Sequence, residues 1–268
     1  MLPALIFMGL LTTGVCILFL EYFDFDRSRF QSTTALHSLL GIVLGLFLVF
    51  RTNSAYDRWW EGRKLWGALV NSARNFALKL SAYLDVNDKE DREWFAKMIP
   101  NFVFAMKEHL RSGVLMNELE IPNDQVRKKI DSFDHKPNAI SQMMYVRVNS
   151  LYKSGKLTGD QFFVLDKEMK DFLDIIGACE RIRNTPIPYS YTMYIKKFIF
   201  IYIVTLPFGF VTTFEYLTIP TVLLISFILL SVELIAEEIE DPFGRDINDL
   251  PTDELSEKIR GNVKEILE

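Results

Sequence analysis

The hydrophobic positions gather into long blocks separated by short polar turns and one large polar stretch. Residues 2–20 run without a charge, which is about the length a helix needs to cross a hydrocarbon core roughly 30 Å thick. The flanks, Met1-Leu2-Pro3 and Leu20-Glu21-Tyr22, lack the basic start and small-residue cleavage site of a leader, so this block is expected to stay as a span. Residues 35–50 form a shorter block, which reaches about 27 Å at 1.5 Å per residue once the uncharged Thr33 and Thr34 are included. Residues 198–214 and 217–236 supply two more, around a Glu215-Tyr216 turn. The pattern predicts four transmembrane helices in two hairpins.

The polar stretch between the second and third blocks has a helical period. Leu65, Leu69, Phe76 and Leu80 fall on neighbouring turns of one face. Helices are expected near 54–84, 89–111, 140–154 and 160–183, the first of them continuing the second span without a break. Pro186 and Pro188 end the last of these, because proline disfavours the helical conformation of the residue before it. Asp241-Pro242-Phe243-Gly244 makes a second turn after the fourth span. A final helix from about Thr252 carries Leu255, Ile259, Val263 and Ile266 on one side, with Asp253 and Glu254 in its positive first turn. No Gly/Ser-rich linker intervenes. The expected organisation is one continuous all-α domain: residues 1–50 and 196–236 in the membrane, residues 51–195 and 237–268 as a cytosolic helical layer.

Charge sets the orientation of these spans. Of the 30 Lys and Arg residues, 24 lie between Arg51 and Lys197 and four follow Glu237. Cytoplasmic segments near membrane ends retain positive charge, so the large insertion and both termini are expected inside. The connections around Asp24 and Asp26 and at Glu215 are expected outside.

Composition agrees with a chain divided between lipid and water. A hydrophobic content of 49% with 22 Phe is high for a soluble domain, whereas 24% charged residues is too many for a bundle wholly in lipid. The net charge of -5 and the lack of basic runs exclude a nucleic-acid binder. Cys16 and Cys179 form no metal or disulfide framework and are expected as buried free thiols. His37, His109 and His135 are far apart in sequence and make no paired ligand motif, so zinc, haem and di-iron chemistry lack ligands on this reading. No P-loop, Rossmann glycine pattern or GxSxG elbow is present, and no enzyme is expected.

The densest motif is Phe50-Arg51-Thr52-Asn53-Ser54-Ala55-Tyr56-Asp57-Arg58-Trp59-Trp60-Glu61-Gly62-Arg63, followed by Leu65-Trp66-Gly67. Taken alone it suits an interfacial belt with ion pairs. It also resembles the signature of the bestrophin family after its second span. The resemblance recurs in order at Gly177-Ala178-Cys179-Glu180-Arg181, Thr185-Pro186-Ile187-Pro188-Tyr189, Glu237-Glu238, Asp241-Pro242-Phe243-Gly244 and Asn248-Asp249-Leu250-Pro251. It is nearest the bacterial branch. Such a resemblance implies a homopentamer in a bacterial inner membrane, with one pore on the symmetry axis. Eukaryotic bestrophins are calcium-activated anion channels, and bacterial ones are associated with cation conduction. The implied function is thus a monovalent ion channel favouring cations such as sodium, with chloride conduction as the alternative. A membrane scaffold or sensor and a membrane oxidoreductase are the rival classes.

A ring of copies is also what physics asks for, since four spans of this length leave no room for an aqueous path within one chain. Ile42, Leu46 and Phe50 recur every four residues and drift only about 80° around a helix, so all three can face one axis. Core or lipid contact is the ordinary meaning of such a stripe; the resemblance assigns these positions to the pore neck. Gly41 and Gly45 form a small-xxx-small pair that permits close helix approach.

Two acidic sites are also carried by the resemblance. Through Gly155-Lys156-Leu157-Thr158-Gly159, a cytosolic constriction of the family falls at Asp160, where an apolar residue would be usual. Asp160 reads either as a helix N-cap or as an acidic ring attractive to cations. Asp246 and Asp249 match acidic side chains of the eukaryotic calcium clasp, with Glu238, Glu240 and Asp241 nearby; the competing reading is a solvated acidic turn. No cofactor is expected, and calcium enters only through that match.

Overall fold

The computed structural model describes residues 1–22 and 31–268, with side chains in the second stretch from Thr34 onward. The predicted connection around Asp24 and Asp26 lies outside the described residues. Among the described residues the regular structure is helical, with no strand: α1 (Leu2–Ile17), α2 (Gln31–Tyr83), α3 (Lys89–His109), α4 (Asp124–Asp131), α5 (Lys136–Lys153), α6 (Gly159–Asn184), α7 (Tyr189–Phe214), α8 (Thr218–Glu240) and α9 (Thr252–Leu267). The chain divides into two compact units, 1–58 with 186–240, and 59–185 with 241–268. Helix α2 passes through both as 53 unbroken residues, about 80 Å at 1.5 Å per residue. The continuity expected of the second span is therefore present.

The first unit holds three helical stretches long and apolar enough to cross a membrane: Leu2–Tyr22, Thr34–Tyr83, whose polar half continues into the second unit, and Tyr189–Glu240. The last is folded at Glu215–Leu217 into α7 and α8, of 26 and 23 residues. Glu215 sits at φ 49°, a left-handed conformation uncommon for a residue with a side chain, and this reverses the chain at the predicted turn. Helix α7 begins at Tyr189, nine residues before the apolar run, because Pro188 supplies the non-helical entry and the polar residues that follow are tolerated at its start. Met8, Leu44, Leu48, Ile195, Ile199, Ile203, Leu206 and Val222 form the core of this unit. Two glycines set its closest approaches. A Cβ on Gly41 would lie 2.6 Å from the Tyr202 hydroxyl, and one on Gly209 would lie 2.8 Å from His37 Nδ1, so α2 and α7 meet almost backbone to side chain. Gly45, the other half of the small-residue pair, faces open space.

The second unit is built on aromatic packing. Phe76 of α2 meets Phe95 and Phe172 edge-on at 5.9 and 5.8 Å, and Phe102 stacks on Phe172 at 5.3 Å. Leu69, Phe76 and Leu80 are fully buried, with Leu65 packed at the edge, as the helical period requires. Ile259 and Val263 of α9 enter the same core, and Leu255 and Ile266 pack against it. Both cysteines of the chain are buried thiols. Helix α4 has no counterpart among the sequence-based expectations. Eight residues long, it is started by Asn123, whose side chain accepts from the Val126 amide.

Candidate functional site: the exposed face of α2 and the motif residues

The buried face of α2 in the first unit is His37, Leu44, Leu48, Arg51 and Ala55. Ile42, Leu46 and Phe50 lie on the opposite side, 66%, 56% and 62% exposed. Leu39, Val43 and Val49 are exposed beside them. Three turns of apolar side chain are thus left uncovered by the protein's own core. A lone chain in water would be penalised for such a surface, so lipid or another copy must cover it.

Below this stripe, the motif residues act as wiring within each unit. In the first, Arg51 is fully buried and faces Glu240 Oε2 at 2.7 Å and Glu233 Oε1 at 3.8 Å. The nearer contact is a pairing of charges rather than an aligned hydrogen bond. Glu240 is used three times, since its Oε1 accepts from the Ile187 amide at 2.9 Å and its carbonyl from Arg58 Nε at 3.0 Å. In the second, Trp59 Nε1 donates to the Asn248 carbonyl at 2.9 Å, and Arg181 pairs with Glu61 at 2.5 Å. A Cβ on Gly62 would press at 3.2 Å on Leu250 and Phe243, so glycine lets α2 accept the 241–251 turn. The interfacial-belt reading captured the ion pairs; it missed that Trp59, Glu61 and Gly62 meet the other motif blocks.

Asp160 is exposed in the first turn of α6. The N-cap reading of it is corrected: Thr158 caps the helix, accepting from Gln161 N while the Gln161 side chain accepts from Thr158 N. A threonine followed three residues later by glutamine is the signal that could have placed this cap. Phe163, one turn on, is 72% exposed and was not singled out from sequence. Asp249 Oδ2 accepts from the Asp246 amide at 2.7 Å and closes the turn. Burial, opposed by that hydrogen bond, leaves the Asp249 carboxyl above its ordinary range. Among the described residues, Asp246 and Asp249 belong to no trio of potential ligands close enough to share an ion.

An ionic cluster anchors α9. Lys107 and Glu108 of α3 are almost wholly buried and are joined by Arg111, Glu118 and Asp253 at 2.7–3.2 Å. Hydrogen bonding from Arg111, with a further bond from Lys107, holds the Asp253 carboxyl well below the usual range. The expectation about histidines needs a larger correction. His109 and His135, remote in sequence, stand with ring centroids 4.4 Å apart and share Glu180. Ligand-spacing rules see only pairs on one local element, whereas this pair is made by the end of α3 meeting the start of α5. Glu180 belongs to one of the motif blocks, so only its partners were hidden.

Comparison with known proteins places these features. The family of bacterial and fungal bestrophin proteins matches residues 1–265. A voltage-dependent anion channel-forming protein of Synechocystis is 35% identical over 85% of this chain and 75% of its own length. One of Nostoc is 36% identical over 84% and 75%. A crystal structure of a bacterial bestrophin homologue from Klebsiella pneumoniae is similar over 99% of this chain and 98% of that one, with a TM-score of 0.89 at 26% identity.

Proposed function

The chain belongs to the bestrophin family, and on that premise we propose that five copies assemble around one central pore and conduct monovalent ions across a bacterial inner membrane, favouring cations such as sodium. The observation that carries this reading is the uncovered stripe of Ile42, Leu46 and Phe50. In a ring of copies, α2 from each chain turns that stripe inward, and the side chains stack about 6 Å apart along the axis. The result is a dry neck. An ion passing it sheds part of its hydration, so the neck gates without choosing sign. Sign is then chosen by charge elsewhere, and five exposed copies of Asp160 concentrate cations.

Four spans, with both termini cytosolic, complete the scheme. Cysteine placed at Glu215 should label from outside, and at Asp131 or Glu257 only from inside. Anion conduction is the second reading, supported by the names of the Synechocystis and Nostoc relatives. The decisive experiment is the reversal potential of purified protein in liposomes under a sodium chloride gradient. A potential near that of sodium supports the cation reading, one near chloride replaces it with the second, and no flux without an added partner removes the channel altogether. For Asp160→Asn, the cation-to-anion permeability ratio should fall by roughly sevenfold if the ring as a whole adds a local potential of about kT, which enriches cations and depletes anions by a factor of about e each.

A further inference from the structure

We propose that His109, His135 and Glu180 bind a divalent transition-metal ion of the zinc type, which ties α3, α5 and α6 together within the second unit. His109 Nε2 lies 2.7 Å and His135 Nε2 2.6 Å from the same oxygen, Glu180 Oε1. The three prospective ligand atoms lie within 4.8 Å of one another. Each side chain is about a quarter exposed, so an ion can reach them from water. Glu180 forms no ion pair with Lys or Arg among the described residues, and its two contacts are the imidazoles.

Two imidazole nitrogens converging on one carboxylate oxygen is the arrangement that a small cation can take over. His135 Nδ1 accepts the Asn138 amide at 3.1 Å as the cap of α5, so in the hydrogen-bonded state its proton is on Nε2 and points at Glu180. A metal ion replaces the hydrogens between nitrogen and oxygen; each imidazole then ligates through Nε2 with its one proton on Nδ1, and at His135 this gives up the cap bond from the Asn138 amide. Tetrahedral bonds of about 2.0–2.2 Å hold ligand atoms about 3.3 Å apart, so the nitrogens and the oxygen must separate by roughly 0.6 Å. Partly exposed side chains allow that movement. His109 is the last residue of α3, with its carbonyl held by Arg183 Nη1 at 2.5 Å, so its backbone is already fixed.

The donor set selects the ion. Two imidazoles and a carboxylate with an open fourth position are the ligands of zinc sites that keep a water. Calcium and magnesium want oxygen alone. Cys179, next in sequence to Glu180, is fully buried and does not belong to the group of converging ligand atoms, so it stays a bystander.

The test uses the full-length protein in detergent with any purification tag removed, titrated with zinc by calorimetry and with cobalt(II) by visible spectroscopy. The wild type should take up one ion per chain, show the intense bands of tetrahedral cobalt and melt at a higher temperature with zinc. His109→Gln and Glu180→Gln should each weaken binding about 100-fold or more, at least the loss that follows removal of an outer-shell partner. Glu180→Gln preserves shape, so its elution as wild type keeps the comparison valid even if a histidine variant misfolds. Equal affinity in wild type and Glu180→Gln, or no saturable binding by wild type, overturns the site. The outcome does not depend on conduction.

Discussion

Both halves of α2 carry an apolar stripe, yet the two stripes meet opposite fates. In the second unit Leu69, Phe76 and Leu80 are fully buried by their own chain. In the first, Ile42, Leu46 and Phe50 stand more than half exposed while Leu44 and Leu48 take the core. Hydrophobicity therefore identifies what must be covered, not what covers it. The second unit satisfies that demand internally with aromatic rings; the first leaves it to lipid or another copy. On the proposed function, the same distinction separates stability from conduction along one helix, since residues that hold a chain together are not free to face a pore.

Truncating each half should show this contrast at its largest. Phe76→Ala leaves a hole beside Phe95 and Phe172, and large-to-small changes at such sites cost about 3–5 kcal/mol. Phe50→Ala removes a ring the fold of one chain does not use, so its folding cost should be under about 1 kcal/mol. Thermal denaturation in detergent, with assembly checked by size-exclusion chromatography, measures both. Equal losses would mean that the stripe is ordinary core.

Next in size is the packing of α2 on α7. Gly41→Ala drives a methyl group to 2.6 Å from the Tyr202 hydroxyl, a clash of the kind that costs about 1–3 kcal/mol. Tyr202→Phe removes that oxygen, leaving the nearest ring carbon at 3.4 Å, and should recover most of the loss in the double variant. Failure of the second change to compensate would place the strain elsewhere in the helix pair.

Much of this was legible in the sequence. Pro186 and Pro188 set the end of α6 at Asn184 and the start of α7 at Tyr189, because proline's restrictions are local. The period of α9 was sufficient to place Ile259 and Val263 in the core. Helix α4 was not legible, since eight residues are too few for a period to stand out, although Asn123 followed by Val126 and Ile130 was its signal. Arg51 was visible as a motif residue and Glu240 as an acidic residue beside the 241–244 block, but no local rule pairs positions so far apart. The same limit hid the meeting of His109 with His135. The neck is proposed from family resemblance and helical geometry together; exposure in one chain adds only that the face is uncovered.

The smallest expected effect is the acid sensitivity of the second unit. Asp253 titrates below its unfolded value, held down by Arg111 and Lys107. A depressed carboxyl contributes stability above its unfolded pKa of about 3.9 and loses it as pH falls through the lower folded value. Asp253→Asn should therefore lower stability by about 1–2 kcal/mol near neutral pH, the lower end for charged hydrogen bonds because the carboxylate is largely exposed. The difference from wild type should shrink as pH drops below about 4. Melting temperatures across that range check it; a difference independent of pH would assign the effect to packing.

The central claim is that the bare stripe on α2 lines the conduction path. Single-channel recording of the Ile42→Ala, Leu46→Ala, Phe50→Ala triple variant, in protein shown to assemble as the wild type does, tests it most directly. The account predicts a wetter neck, with conductance and open probability both raised and the reversal potential nearly unchanged, because no charge has been removed. Unchanged conductance and open probability in an intact ring would contradict it and make the stripe a packing surface.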